Sequence, residues 1–206
     1  MTKSFSHYIT ISPEIMDVIE EDLTKNFDNN MEFSKLMGNV QDSNRRNSKN
    51  AWIPTTHWFG GLMWHYFKKA NDEIFHYSLD HIDGESMQYT HYSLKQKYDW
   101  HQDENLAGFY KPLAGGKRND ENLVNDFINY EAEKVRKLSC ILQLSDPDDY
   151  EGGGTQLRDI DNSLYNIPRE RGTLVFFDSR LYHRAKMVHK GLRKSLIVWA
   201  VGRRWK

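Results

Sequence analysis

The chain has 206 residues, 28 basic and 29 acidic side chains, and a formal net charge of −1. A chain of this length can bury roughly 70% of its unfolded surface as one domain, and its balanced charge argues against broad electrostatic capture of nucleic acid or anionic lipid. The single cysteine, Cys140, forbids an internal disulfide and points to a reducing, cytoplasmic setting.

No apolar stretch nears the ~20 residues of a membrane span, so no membrane partner is expected, and Met1-Thr2-Lys3-Ser4 leads into no signal-peptide core. Ser12-Pro13-Glu14 reads as a helix start, with a capping hydroxyl, a proline in the first turn and an acid at the positive end of the dipole. Ile15, Val18, Ile19 and Leu23 then recur at helical spacing. Residues 38–50 are polar and read as a loop. A second helix is expected over about 56–70, with Leu62, Met63, Tyr66, Phe67 and Ala70 on one face.

The period then drops to two. Phe75, Tyr77 and Leu79 alternate with His76, Ser78 and Asp80, which predicts a half-buried strand. Further strand-like runs cover 87–92, 138–144, 173–177 and 195–201, separated by turn clusters such as Asp146-Pro147-Asp148-Asp149 and Gly152-Gly153-Gly154. Two helices followed by many short strands, without β-α alternation, predict a mainly β fold: an antiparallel jelly roll with supporting α-helices outside it. The expected organisation is one domain over 1–206, with helical support in about 1–72 and the jelly-roll core in about 73–206. Residues 104–136 form a long polar stretch of the kind that serves as a lid or insertion.

Within Tyr98-Asp99-Trp100-His101-Gln102-Asp103, His101 and Asp103 are two residues apart. On an extended chain such residues share a face and can aim at one point, whereas on a helix they diverge by ~200°. His183 offers a third ligand. Two imidazoles and one carboxylate on one side of a metal make the facial triad of non-haem Fe(II) oxygenases, which leaves positions open for substrate and oxygen. Downstream, Arg193, Ser195, Ile197 and Trp199 share one strand face. A guanidinium on an inward face is costly unless a carboxylate meets it, and its fork suits a bidentate partner. If His183 and Arg193 flank a hairpin turn, the gap between them is roughly 13 Å of strand rise, about the span of a chelated five-carbon diacid plus the arginine side chain.

These residues, with the segments Arg136-Lys137-Leu138-Ser139-Cys140-Ile141-Leu142-Gln143-Leu144-Ser145-Asp146-Pro147, Tyr150-Glu151-Gly152-Gly153 and Gly191-Leu192-Arg193-Lys194-Ser195, resemble the prolyl-hydroxylase-type 2-oxoglutarate/Fe(II) dioxygenases, in particular their PKHD-type branch. The resemblance spans about 87–202. It implies a double-stranded β-helix (cupin-like) core, Fe(II) held by His101, Asp103 and His183, and 2-oxoglutarate and O2 as cosubstrates, with ascorbate as an optional accessory. It further implies that Arg193 binds the far carboxylate of 2-oxoglutarate, with Tyr92, Gln143 and Ser195 around the cosubstrate. Gln143 stands where some relatives place a tyrosine. Tyr98, Arg136 and Trp199 match substrate-facing positions. The carboxylate of Asp103, which related halogenases lack, favours hydroxylation.

The remaining candidates read as structural. Trp52, Trp58 and Trp64 are expected in packing; His57, His65, His76, His81, His91 and His189 have no partner at ligand spacing; Cys140 shares a face with Leu138 and Leu142 and reads as a small buried hydrophobe. The leading expectation is hydroxylation of a prolyl residue in a peptide or protein. A free amino acid or small metabolite is the alternative substrate, and a jelly-roll binding module without turnover is the non-enzymatic one. A nucleobase substrate is disfavoured because Trp199 occupies the place of the second arginine of AlkB-type demethylases.

Overall fold

The computed structural model describes residues 6–34, 42–83, 87–104, 134–203 and 205. Helix α1, Pro13–Phe27, starts where Ser12 leaves extended backbone and Pro13 occupies the first turn. Its buried stripe is Met16, Ile19 and Leu23, while Ile15 and Val18 sit on the solvent side at 39% and 56% exposure. Ile19 and Leu23 of the expected stripe are thus buried, and Met16 stands in for Ile15 and Val18. Helix α2, Trp58–Ala70, buries Phe59, Met63, Phe67 and Ala70.

Both helices pack on the outer face of a large sheet in the order β1 (Ser6–Thr10), β11 (Thr173–Asp178), β7 (Lys134–Gln143), β14 (Arg193–Arg203), β5 (Met87–Tyr92), β3 (Lys49–Ile53), β2 (Glu32–Phe33), with β4 (His81–Ile82) paired to the end of β14. A smaller sheet runs β10 (Leu164–Asn166), β9 (Thr155–Arg158), β12 (Tyr182–Ala185), β6 (Tyr98–His101), and β13 (Val188–Gly191) pairs with β8 (Tyr150–Gly152). The described strand pairs are antiparallel. This is a jelly roll: mainly β, with helices supporting one face.

Strand parity divides the core. Leu138, Cys140 and Leu142 of β7, Leu174 and Phe176 of β11, and Leu196, Val198 and Ala200 of β14 join the helices in one cluster. The alternate residues Ile141, Val175 and Phe177 pack instead with Leu157 and Ile167 between the sheets. Cys140 is fully buried, and burial pushes its thiol well up, as befits a packing residue.

Several expectations change. The strand over 75–80 is not formed: α2 runs into a wide turn at Asn71–Phe75, His76 adopts left-handed backbone (φ 54°), and the Asn71 side chain bonds both the N–H and the carbonyl of Tyr77. The loop over 38–50 is shorter, since Lys49 and Asn50 already belong to β3 and Arg46 bridges to Tyr98. Finally, β12 and β14 lie in different sheets, so His183 and Arg193 do not flank one hairpin; β13 intervenes and pairs with β8. Strands β1, β2 and β3, all from the first 72 residues, extend the large sheet. The proposed lid at 104–136 falls, apart from its ends, outside the described residues. Trp52 and Trp58 are 44% and 43% exposed rather than packed inside, Trp58 donating its indole N–H to Asp22. No helix among the described residues is long and apolar enough to cross a membrane.

Candidate active site

The register that pairs β6 with β12 sets His101 opposite His183. Their rings lie 4.1 Å apart, and Phe177 from the inner core meets His183 edge-on at 4.8 Å. Asp103 follows the end of β6, where its own N–H and that of Glu104 both donate to the Ser179 carbonyl. Asp103 Oδ1 is 3.8 Å from His101 Nε2, and Asp103 Oδ2 is 3.5 Å from His183 Nε2. One ligand atom from each of the three residues lies within 4.8 Å of the others.

Each imidazole is oriented from behind. His101 Nδ1 meets the Asp99 carbonyl at 2.7 Å and His183 Nδ1 meets the Leu181 carbonyl at 3.1 Å. A carbonyl only accepts, so each Nδ1 carries its proton and each Nε2 turns to the common point. The carboxylate is fixed in the same way: Ser139 donates to Asp103 Oδ2 at 2.7 Å and contacts the Ser179 hydroxyl at 2.9 Å, both serines being fully buried.

Burial pushes His101 down to about 3, with the charge of His183 adding to burial and a smaller contribution from Arg46, so it is a neutral nitrogen donor at pH 7. For Asp103, burial pushes upward but is overcome by the charge and hydrogen bond of His183, which hold the carboxyl well below its usual range. For His183, burial pushes downward and the facing Asp103 carboxylate outweighs it, so the net shift is upward. A cation at this point would displace that proton and satisfy all three groups.

Arg193, Ser195, Ile197 and Trp199 share the inner face of β14 by their alternation. Arg193 is 2% exposed, yet no carboxylate lies within 4.0 Å of it among the described residues. One terminal nitrogen donates to Gln143 Oε1 (3.2 Å) and Thr155 Oγ1 (3.1 Å), while Nε is buried without a partner. The guanidinium lies over the Tyr92 ring, in register with it across β5, at 5.4 Å. Gln143 is itself held by its donation to the Pro168 carbonyl, and the Ser195 hydroxyl is buried without a partner.

Glycines make this arrangement possible at two places. Gly191 (φ 76°) turns the chain into β14, where an added Cβ would meet the Asp149 carbonyl oxygen at 2.0 Å. Gly152 and Gly153 (φ 75° and 63°) turn β8 into β9 and so set Thr155 beneath Arg193.

Of the substrate-facing candidates, Tyr98 stacks on His101 at 3.6 Å and 19°. Arg136 donates twice to Asp83 Oδ2 (3.0 and 2.8 Å), and its guanidinium lies 3.7 Å over the Trp199 ring. The Trp199 indole N–H is buried without a partner. Sequence reasoning missed Ser139, Ser179, Thr155 and Arg46. The first was within reach, since Cys140 facing the core puts Ser139 on the opposite face. A separate cavity of about 480 Å³ under α1, lined by residues such as Glu20, Tyr89, Arg171 and Lys194, contains none of these groups.

A family model described as the 2OG-Fe(II) oxygenase superfamily matches residues 87–201. The chain belongs to that superfamily. The oxygenase is therefore an oxidoreductase, a dioxygenase that uses Fe(II), 2-oxoglutarate and O2. It shares its fold with a Pseudomonas putida prolyl-4-hydroxylase (14% identity, 98% of this chain and 93% of that one, TM-score 0.64). A prolyl hydroxylase from Trichoplax adhaerens, solved with a hypoxia inducible factor oxygen degradation domain peptide fragment, is also similar (15%, 96% and 84%, TM-score 0.66). So is the viral collagen prolyl hydroxylase of Paramecium Bursaria Chlorella virus-1 in its 2OG complex (18%, 96% and 96%, TM-score 0.60). The oxygenase's own residues suit the cofactor: two imidazole nitrogens and a carboxylate could hold Fe(II), and a buried guanidinium with no carboxylate against it among the described residues could receive a dicarboxylate.

Proposed function

We propose that the enzyme hydroxylates a prolyl residue of a peptide or protein, as prolyl 4-hydroxylases do. In this reading His101, Asp103 and His183 hold Fe(II), which when bound supplies the oxygen activation coupled to conversion of 2-oxoglutarate into succinate and CO2. Arg193 receives the far carboxylate of 2-oxoglutarate, and Gln143 and Thr155 keep the guanidinium fork turned toward it. Ser195, with its free hydroxyl, and Tyr92, beneath the guanidinium, complete that end of the pocket. Tyr98, stacked on His101 and covered by the Arg46 guanidinium, borders the substrate by its ring edge, and Trp199 borders it beside Arg136. Arg136, committed to Asp83, acts by holding Trp199 in place.

The observation that carries this reading is Arg193. A guanidinium 2% exposed with no acid beside it among the described residues is expensive on its own, and a cosubstrate carboxylate removes that cost. The shared fold with prolyl hydroxylases, one of them solved with a peptide fragment, supports the substrate class. The test is aerobic incubation with Fe(II), 2-oxoglutarate and proline-containing peptides. A one-oxygen mass gain on proline, matched by succinate, is expected. Turnover of free amino acids with no peptide product would replace this substrate by a small one.

A further inference from the structure

Two arginines among the described residues are less than one-tenth exposed, Arg193 at 2% and Arg46 at 7%. The more exposed Arg136, Arg171 and Arg180 each hold a carboxylate at 2.6–2.8 Å. Arg46 does not. Its Nε donates to the Ser48 hydroxyl at 3.0 Å, Ser48 in turn contacting Ser34 at 2.8 Å, and Nη2 is buried with no partner. The nearest acid along the paired strand, Asp99, is engaged by Lys97 at 3.9 Å instead.

Position gives this orphaned charge a meaning. The backbone of Arg46 is pinned by its N–H to the Asp42 carbonyl and by the bridge to Tyr98. Its guanidinium lies 4.6 Å over the Tyr98 ring. His101 occupies one face of that ring at 3.6 Å, which leaves the other for the guanidinium. The order is therefore guanidinium, phenol, imidazole: a buried cation one aromatic ring away from His101, beside the tyrosine read above as bordering the substrate. Stacking on Tyr98 offsets part of the desolvation cost. It leaves Nη2 without a partner, as Nε is left at Arg193, and a guanidinium binds a carboxylate through two parallel hydrogen bonds.

We propose that Arg46 is a substrate subsite for a carboxylate, so that the hydroxylated molecule carries an anionic group about one residue away from the reacting C–H bond. This rests on the reading of His101, Asp103 and His183 as the reaction centre. The carboxylate has two possible sources: an acidic side chain or C-terminus in a peptide, or the α-carboxylate of a free amino acid.

The experiment uses full-length protein loaded with Mn(II) and N-oxalylglycine, so that the Arg193 site is filled. The immobilised protein is exposed to random tripeptide pools, N-acetylated and either free or amidated at the C-terminus, and in a separate arm to a mixture of free amino acids. Retained species are read by mass spectrometry. Wild type is expected to enrich carboxylate-bearing species at least tenfold over their amidated or Asn/Gln counterparts. R46Q is expected to lose that preference while its Kd for N-oxalylglycine stays within twofold. R46K, which keeps the charge without the fork, should retain an intermediate preference. Equal retention of acids and amides by wild type, no retention of either, or an unchanged preference in R46Q would each overturn the proposal. The wild-type comparison stands even where a variant fails to fold. Carboxylate enrichment without proline enrichment would sink the prolyl reading and leave the Arg46 subsite standing; proline enrichment without acid preference would do the reverse.

Discussion

Ser139 donates its hydroxyl to Oδ2 of Asp103 at 2.7 Å, from a strand that contributes no metal-ligand candidate of its own. That bond, backed by Ser179, decides how the carboxylate is rotated toward the two Nε2 atoms. Ser139→Ala leaves Oδ2 free to swing and removes a hydrogen bond to a charged group, about 1.5–3 kcal/mol. Loss of such a supporting contact weakens metal affinity by about 10–100-fold. Equilibrium dialysis with Mn(II) should show that drop, with partial recovery in Ser139→Thr. Unchanged affinity in Ser139→Ala would remove the positioning role.

Arg193→Gln should raise the KM for 2-oxoglutarate more than it lowers kcat, because the interaction lies at the non-reacting end of the cosubstrate. Truncating one partner of a buried charge pair costs about 2–5 kcal/mol, so a rise of roughly 30-fold or more is expected. Arg193→Met should raise Tm in the absence of 2-oxoglutarate, since it removes a buried charge that has no acid beside it among the described residues. Steady-state kinetics and a thermal melt check the two halves separately.

How much of this was legible in the sequence follows from the periods involved. The two-residue alternation in β7 and β14 assigned Cys140 to the core and Arg193, Ser195 and Trp199 to one inner face, and the register of β14 against β5 and β7 agrees. The triad was legible because His-x-Asp needs only extended chain. Arg46 was hidden because its orientation comes from a bridge to Tyr98, 52 residues away in sequence, and no local pattern encodes it. Thr155 was hidden behind the conformation of Gly152 and Gly153. The alternation of Phe75, Tyr77 and Leu79 misled for a related reason: the Asn71 side chain and the Tyr77–Asp178 hydrogen bond (2.6 Å) hold that segment without a ladder.

The outer core should respond independently of the site. Phe176 is fully buried between β11 and α2, with the Phe67 ring edge-on at 5.3 Å. Phe176→Ala should cost about 3–5 kcal/mol of stability, read from urea unfolding midpoints. Mn(II) affinity of the folded fraction should be unchanged, because the triad is carried by the other sheet and the inner face.

Acid should destabilise the fold partly through His91. Burial pushes this imidazole down to about 4, outweighing the upward pull of Asp28, whose carboxylate is 3.6 Å away, and Lys194 and Lys49 add to the depression. Between pH 6.5 and about 4 the unfolded chain takes up a proton that the folded one refuses, so stability falls as pH drops through that window. His91→Gln should lose less stability than wild type between pH 7 and pH 5 in urea titrations. Parallel losses would show that His91 is not the group responsible.

Oxygenase chemistry in this chain requires that residues 101, 103, 183 and 193 build one binding site. Anaerobic titration of the apo protein with Fe(II), then with 2-oxoglutarate, examines this in a single cuvette. One equivalent of Fe(II) should bind, and the diacid should produce a weak visible charge-transfer band, absent in His183→Ala and shifted to much higher 2-oxoglutarate in Arg193→Gln. A wild-type protein that binds no iron, or binds it and gives neither the band nor succinate when air is admitted, would contradict the account.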